Sequence, residues 1–550
     1  MTDLKIQFTS GPLGDIDRVK QLCKGNRFAV LNICLFLLCI GISVFGFIYL
    51  GAIGWPGLHW DAALYGTPVI NVAAGKGWYF GSYTPQLINR ASLDYDFHGI
   101  LHVLFYGLLL KCYSWSRYML AQSCVNALTF VVYTALYASI FLRQKGAGLS
   151  SLYVAGLLGF VPGALCIGLQ GRPEQLAPII LGVSLGAFSF LSSQVSRIAV
   201  HGLILGLLFL LSPLVGLFYA SLVFFYWYAM EKNGLIAYLR SIFCLVAVAG
   251  LVLILLIGML APFSPVQWLQ NVLNASTQTL SFRGFIFMLR SGRWGFSLIA
   301  PFWNLIALLL IGVGVSWLWA KKRSFFALAA STIVLGLFNE KMCDYSYTPF
   351  IPYAIFLALA WSAEDFGGGL GVGMSRLIRY PVFAVSFVYM YVVLSYFLSS
   401  LVIPHDQLSL VLARDRFGHS QAGKVLSTGA AAVGFPPYAM WPSMVVLGQG
   451  GSAYATFTPS QQPVADKSLA RYEHKTGRLV EYMIYPQTET SINVLPPSAL
   501  YVGSARYELW ENHWASPVWL DFKLSPLRLT NRYNFALYKR QVPIALSSDS

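Results

Sequence analysis

Between residues 32 and 403, long apolar runs alternate with short polar breaks that carry Lys/Arg, Pro/Gly or aromatic clusters. Apolar runs of about 18 or more residues have the length of a membrane-spanning helix. Apolar runs lie at 32–50, 117–142, 150–169, 176–193, 242–260, 296–319, 325–338, 349–361 and 381–403, those at 325–338 and 349–361 being shorter than this length. A hairpin from Arg197 to Glu231, broken at Ser212-Pro213, brings the expectation to about eleven spans. After residue 404 Pro, Ser and charged residues separate short β-like runs at 478–485, 491–495, 501–510 and 534–540, and the amphipathic stretch 407–417 reads as a lead-in helix. The pattern predicts three parts: a polar N-terminal segment (1–27), an α-helical polytopic membrane domain (28–403) with its first large loop at 51–116, and a small mixed α/β domain outside the membrane (404–550).

Composition agrees with this division. The chain is 57% hydrophobic and 11% charged, with a mean hydropathy of +0.62, far from soluble usage. The net charge of +15 does not imply nucleic acid as a partner, because the basic residues are scattered singly between apolar runs and form no stripe. Lys5, Arg18, Lys20, Lys24 and Arg27 precede the first span and set the N-terminus in the cytoplasm; Lys321-Lys322-Arg323 is the strongest further inside marker. Loop one and the C-terminal domain are then extracytoplasmic. The first run has no small-residue cleavage site behind it and reads as a retained helix. The run at 100–110 is apolar but too short to span, so it reads as a re-entrant or interfacial helix. The eight cysteines lie in or near apolar segments, with no disulfide framework and no CxxC pair. A C-terminal part without cysteines leans towards a bacterial inner membrane, with the endoplasmic reticulum as the alternative of equal topology.

Residues 60–99 hold the densest chemistry: Asp61, Lys76, Arg90, Asp94, Asp96 and His98, with Tyr65 and Trp78 among the interleaved aromatics. A charge just past a membrane exit is costly unless it faces water or a partner, so Asp61 reads as functional. Its bland alternative is a helix N-cap in front of Ala-Ala-Leu-Tyr. Asp96 and His98 could complete a divalent metal site, Mg or Mn, with Asp61, although the spacing matches no metal motif and His98 with His102 suits ordinary hydrogen-bonded structure. Arg172-Pro173-Glu174 opens a helix, where Pro and Glu fit the first turn; equally, Arg172 could grip a phosphate with Glu174 lining the site. Arg283, Arg290, Arg293 and Lys341 are outer-loop cations suited to an anionic leaving group or to anionic headgroups. Tyr345 belongs to a polar patch re-entering the membrane.

The aspartate of loop one in Trp60-Asp61 with Tyr65-Gly66, the Gly75-Lys76-Gly77-Trp78 that follows, the DYDFHG sequence at 94–99, the multispan core and the external C-terminal part together resemble the GT-C superfamily of membrane glycosyltransferases, nearest to protein O-mannosyltransferases and lipid A aminoarabinose transferases. The resemblance implies transfer of a sugar from a polyprenyl-phosphate donor to a lipid, glycan or protein acceptor, usually with inversion. It implies that Asp61 is a general base or metal ligand, and that Asp94, Asp96 or Glu174 supplies any second carboxylate, because Ala62 follows Asp61 where the family commonly has a second acid. Tyr65, Lys76, Trp78 and His98 are then substrate-binding candidates beside the arginines. No phosphate-binding P-loop or dinucleotide fingerprint is present. A transporter or flippase of a lipid-linked or anionic substrate, or an oligosaccharide ligase or polymerase, is the alternative.

Overall fold

The computed structural model describes residues 27–52, 61–78, 82–83, 95–96, 99–142, 150–191, 193–230 and 234–277, short pieces between 348 and 398, and the strands and nearby positions between 432 and 541. The helices are α1 (Arg27–Ala52), α2 (Asp61–Ala73), α3 (Ile100–Val103, continuing as a π-helix over Leu104–Leu109), α4 (Trp115–Leu142), α5 (Ser150–Gly168), α6 (Ala177–Phe190), α7 (Gln194–Leu211), α8 (Pro213–Met230), α9 (Leu235–Leu260) and α10 (Pro265–Thr277). A 3-10 turn, Pro173–Leu176, leads into α6.

Among the described residues four helices are long and apolar enough to cross a membrane: α4, α7, α9 and, from Phe28, α1. Their burial separates two roles. The α4 helix is the most enclosed of them and packs against α1 and α5, whereas α1 and α9 turn apolar residues such as Leu38, Phe45, Phe243 and Ile254 outward. Exposed apolar surface on this scale is costly in water and costs nothing against acyl chains. Helix α6 differs from the run expected at 176–193. It has 14 residues, about 21 Å of rise against roughly 30 Å of hydrocarbon: the run loses Leu176 to the preceding 3-10 turn and its last three positions where Leu191 leaves the helix in an extended conformation. The spans expected at 296–319 and 325–338 and the stretch at 407–417 lie outside the described residues, as do most positions of the runs at 349–361 and 381–403.

Strands β1 (Ser82–Tyr83), β2 (Ala432–Phe435), β3 (Ser452–Ala455), β4 (Val480–Gln487), β5 (Ala499–Val502), β6 (Ala505–Ala515) and β7 (Asn534–Arg540) form one sheet of order β1-β3-β2-β4-β7-β6-β5. The β-like runs at 478–485, 501–510 and 534–540 fall on β4, β5 with β6, and β7; the run at 491–495 is outside the described residues. The β1 to β4 side is parallel and the rest antiparallel. The Tyr507 hydroxyl donates to the Val480 carbonyl across the sheet, and Glu473 pairs with Arg540 at its margin. Strand β1 comes from loop one, pairing Ser82 with Ala453 and Tyr83 with Tyr454. Loop one is thus tied to the C-terminal sheet midway between its two polar clusters.

Helices α7 and α9 meet through small residues. A Cβ on Gly206 would lie 2.9 Å from the Ala249 carbonyl oxygen and 2.9 Å from Val252, and one on Gly202 2.7 Å from Val248. The Gly-x-x-x-Gly spacing lets the two backbones approach, as small residues do between membrane helices. Gly206→Leu is expected to lower the thermal midpoint of the detergent-solubilised protein, at a cost of about 1–3 kcal/mol for overpacking. Gly250→Leu on α9, where a Cβ meets nothing within 4 Å, should leave it unchanged. Equal midpoints for the two variants would contradict this packing.

Candidate functional site

The site grows from three short segments that converge where α2 crosses α4. Helix α2 lies against α4 because Gly66 has no side chain; a Cβ there would stand 2.7 Å from the Trp115 ring and 2.8 Å from Tyr118. Tyr65, the preceding residue, is buried. The second segment is Tyr95-Asp96, tied to the end of loop one's first half by the Tyr95 N–H, which donates to the Trp78 carbonyl at 2.9 Å. The third is the turn Gly171–Glu174. Gly99 joins the last two: its φ is +91°, and a Cβ would sit 2.7 Å from Pro173 and 3.0 Å from the Tyr95 hydroxyl.

Arg172 donates through Nε to Glu174 at 3.2 Å, the two side chains being 11% and 4% exposed. The guanidinium also stands 5.9 Å from the Tyr65 ring centroid, within cation–π range. Burial, then the charges of Glu174 and Tyr95, push the Tyr65 phenol well above its ordinary value, so it stays protonated. Asp96 is 4% exposed, and its Oδ2 accepts a hydrogen bond from Asn271 on α10 at 2.5 Å. Trp78 packs edge-on to Phe263 with centroids 6.0 Å apart.

Beneath this cluster lies a buried polar layer that fixes the turn. Gln175 is its hub: its amide nitrogen donates to Asn126 Oδ1 at 2.6 Å and to the Gln122 carbonyl at 3.0 Å, and its oxygen accepts from the Tyr106 hydroxyl at 3.1 Å. Gln122 Oε1 in turn accepts the Gly171 N–H at 3.2 Å. Tyr106 lies in the π-helical stretch, whose wider turn is a recurrent feature near functional groups. His102 Nε2 and the Tyr118 hydroxyl are 2.6 Å apart, and burial lowers the imidazole to about 3, keeping it neutral.

Of the expected site residues, the structure brings together Tyr65, Arg172 and Glu174. Asp96 joins them through Tyr95, its neighbour in the chain, and Trp78 through that residue's backbone bond. Asp61 opens α2 one turn before Tyr65; its side chain lies outside the described residues, as do His98, Arg283, Arg290, Arg293, Lys341 and Tyr345. Lys76 is exposed in the turn after α2, closed by its own N–H on the Asn71 carbonyl. Among the described residues no three His, Cys, Asp or Glu side chains are disposed to hold a metal, and the Asp96 carboxylate is engaged by an amide. Of the three expected metal ligands, only the Asp96 side chain is among the described residues. Residues that sequence reasoning passed over are Tyr95, Gln175 and Asn271. Tyr95 stood in view between Asp94 and Asp96, but uncharged amides in apolar runs give no comparable signal.

No family model matches the chain, and no curated protein matches its sequence.

Gln175→Leu should destabilise the protein by about 1–3 kcal/mol for each buried partner left unsatisfied, read as a fall in thermal midpoint; an unchanged midpoint would remove Gln175 as the hub. His102 gives a pH signature. Its imidazole takes up a proton near 6.5 when unfolded and at about 3 when folded. Stability is therefore complete above about 6.5 and falls as pH drops towards 3. Between pH 7 and 5 the thermal midpoint of the wild type should drop further than that of His102→Gln; parallel curves would contradict a buried neutral histidine.

Proposed function

We propose that the chain is a membrane glycosyltransferase of GT-C type that moves a sugar from a polyprenyl-phosphate donor to a lipid, glycan or protein acceptor on the extracytoplasmic face. The observation that carries this reading is the convergence of loop one and the Gly171–Glu174 turn on Tyr65, at one end of an apolar helix bundle. A phenol donor, a guanidinium and carboxylates gathered at the end of lipid-facing helices suit a substrate whose sugar phosphate is polar and whose tail is hydrocarbon. The β1–β3 pairing adds support, since it ties the sheet that would meet an acceptor to the loop that carries Asp61.

In this reading the Asp61 carboxylate takes the proton of the acceptor hydroxyl as its oxygen attacks the anomeric carbon. The bond from that carbon to the phosphate oxygen breaks with inversion, and polyprenyl phosphate departs. Positioned proton transfer contributes about a hundred- to ten-thousand-fold. Arg172 and the protonated Tyr65 face the developing phosphate charge in a poorly hydrated setting, where such contacts are strong. Arg283, Arg290, Arg293 and Lys341 supply further cations in the same reading. The topology that goes with it is about eleven spans with a cytoplasmic N-terminus, in a bacterial inner membrane.

One observation favours a second reading, a transporter or flippase. His201 is buried in α7, with Nδ1 2.6 Å from the Tyr219 hydroxyl, which donates to Ser184 at 3.1 Å. An ionisable group within a span marks a transport path more often than it marks bulk structure.

The test is transfer of labelled sugar from polyprenyl-phosphate donors in proteoliposomes, with Asp61→Asn at matched expression and with or without EDTA. Transfer should fall about a hundred-fold or more in the variant, and EDTA separates a base from a metal ligand. Undiminished transfer by Asp61→Asn would remove it from the site, and no transfer by the wild type from any donor would favour the transporter.

A further inference from the structure

Helix α10 has three sectors. Around its axis the positions fall in the order Trp268, Val272, Leu269, Val266, Gln270, Gln267 and Asn271 at the helical repeat. Trp268 and Val272 are buried against the protein. Val266 and Leu269 follow on the same apolar half, yet they are 65% and 50% exposed. The remaining side is polar; Gln270 is exposed on it, and Asn271 reaches Asp96. A helix that packs with one third, exposes apolar residues with the next and carries amides on the last has the pattern of a segment lying in a membrane interface.

The occupant of the apolar sector follows from what precedes it. Helix α9 is 26 residues long and turns Leu251, Ile254, Leu255 and Met259 outward along its length, which is the surface of a lipid-facing span. Four residues, Ala261 to Ser264, separate its end from α10, and Phe263 within them is anchored against Trp78. Val266 and Leu269 therefore continue a lipid-facing surface around a corner at the bilayer boundary. At the same boundary Asn271 holds the carboxylate of Asp96.

We propose that α10 is an interfacial helix whose Val266 and Leu269 enter the acyl boundary of the bilayer, so that the lipid surface sets the depth at which Asn271 holds Asp96. The place of Asp96 in a transferase site rests on the reading above, but the docking of α10 on lipid does not need it.

The test uses the full chain in nanodiscs of phosphatidylcholine, in a background with the native cysteines replaced. A fluorophore is attached at Val266→Cys, Leu269→Cys or Gln270→Cys, and quenching is compared between unlabelled lipid and lipid brominated near the top of the acyl chain. An interfacial helix buries its apolar face about 5–10 Å into the headgroup and acyl boundary, so the labels at 266 and 269 should be quenched about twofold more than the label at 270. Equal quenching at the three positions would overturn the proposal. A wild-type arm needs no substitution: phosphatidylcholine with a photoreactive acyl chain should label the peptide spanning 265–277, and label confined to the spans would overturn it too. Loss of sugar transfer with the quenching pattern intact would count against the enzyme reading alone, and the converse result against the docking alone.

Discussion

An ion pair as enclosed as Arg172–Glu174 survives only if its geometry is held from outside, since withdrawing two charges from water costs more than a loose contact returns. The turn that carries the pair has no side-chain cap of its own. It is held instead by Gln175 and Gln122, whose amides fasten Gly171 and the turn to α4 and to the π-helical stretch. The amides in turn depend on α4 being enclosed by α1 and α5, because exposed amides would exchange these partners for water. The order of dependence runs from apolar helices, through a buried polar layer, to a charged cluster.

The parts legible in the sequence were those with a strong periodic or electrostatic signal. The span-length helices α1, α4, α7 and α9 follow from unbroken apolar length, and β4, β6 and β7 from β-rich runs between turn residues. Asp96, Arg172, Glu174 and Tyr65 stood out as polar or aromatic groups next to apolar runs, where such residues need a reason. Helix α6 is shorter than the apolar run that contains it, because hydropathy alone does not register the extended exit at Leu191. Gln175, Gln122 and Asn126 give no signal before the fold is known: each is one amide among apolar neighbours, and only the packing of the turn on α4 makes them a network. The pairing of Ser82–Tyr83 with β3 is equally silent, because two residues carry no periodicity. Asn271 belongs with these, its value depending on which carboxylate its helix face meets.

Loop one is held at several points along its length: by Gly66 on α4, by the Trp78–Tyr95 backbone bond, by β1 in the C-terminal sheet and by Gly99 against Pro173. Tied down in this way, and stiffened by α2 and α3 within it, the loop keeps Tyr65, Asp96 and the Arg172–Glu174 pair in register. The two sides of the cluster also face different media. One is the buried amide layer and the other is the end of the bundle, where α9 gives way to α10.

In the proposed function this cluster receives the phosphate of a lipid-linked substrate. The most direct measurement is the thermal shift of the purified protein on addition of polyprenyl phosphate, compared with Arg172→Gln. A ligand at ten times its dissociation constant stabilises the folded state by about 1.4 kcal/mol. The wild type should gain a corresponding rise in thermal midpoint, and Arg172→Gln should gain little or none relative to its own ligand-free midpoint. An equal rise in both proteins would contradict the assignment of Arg172 and the cluster around it.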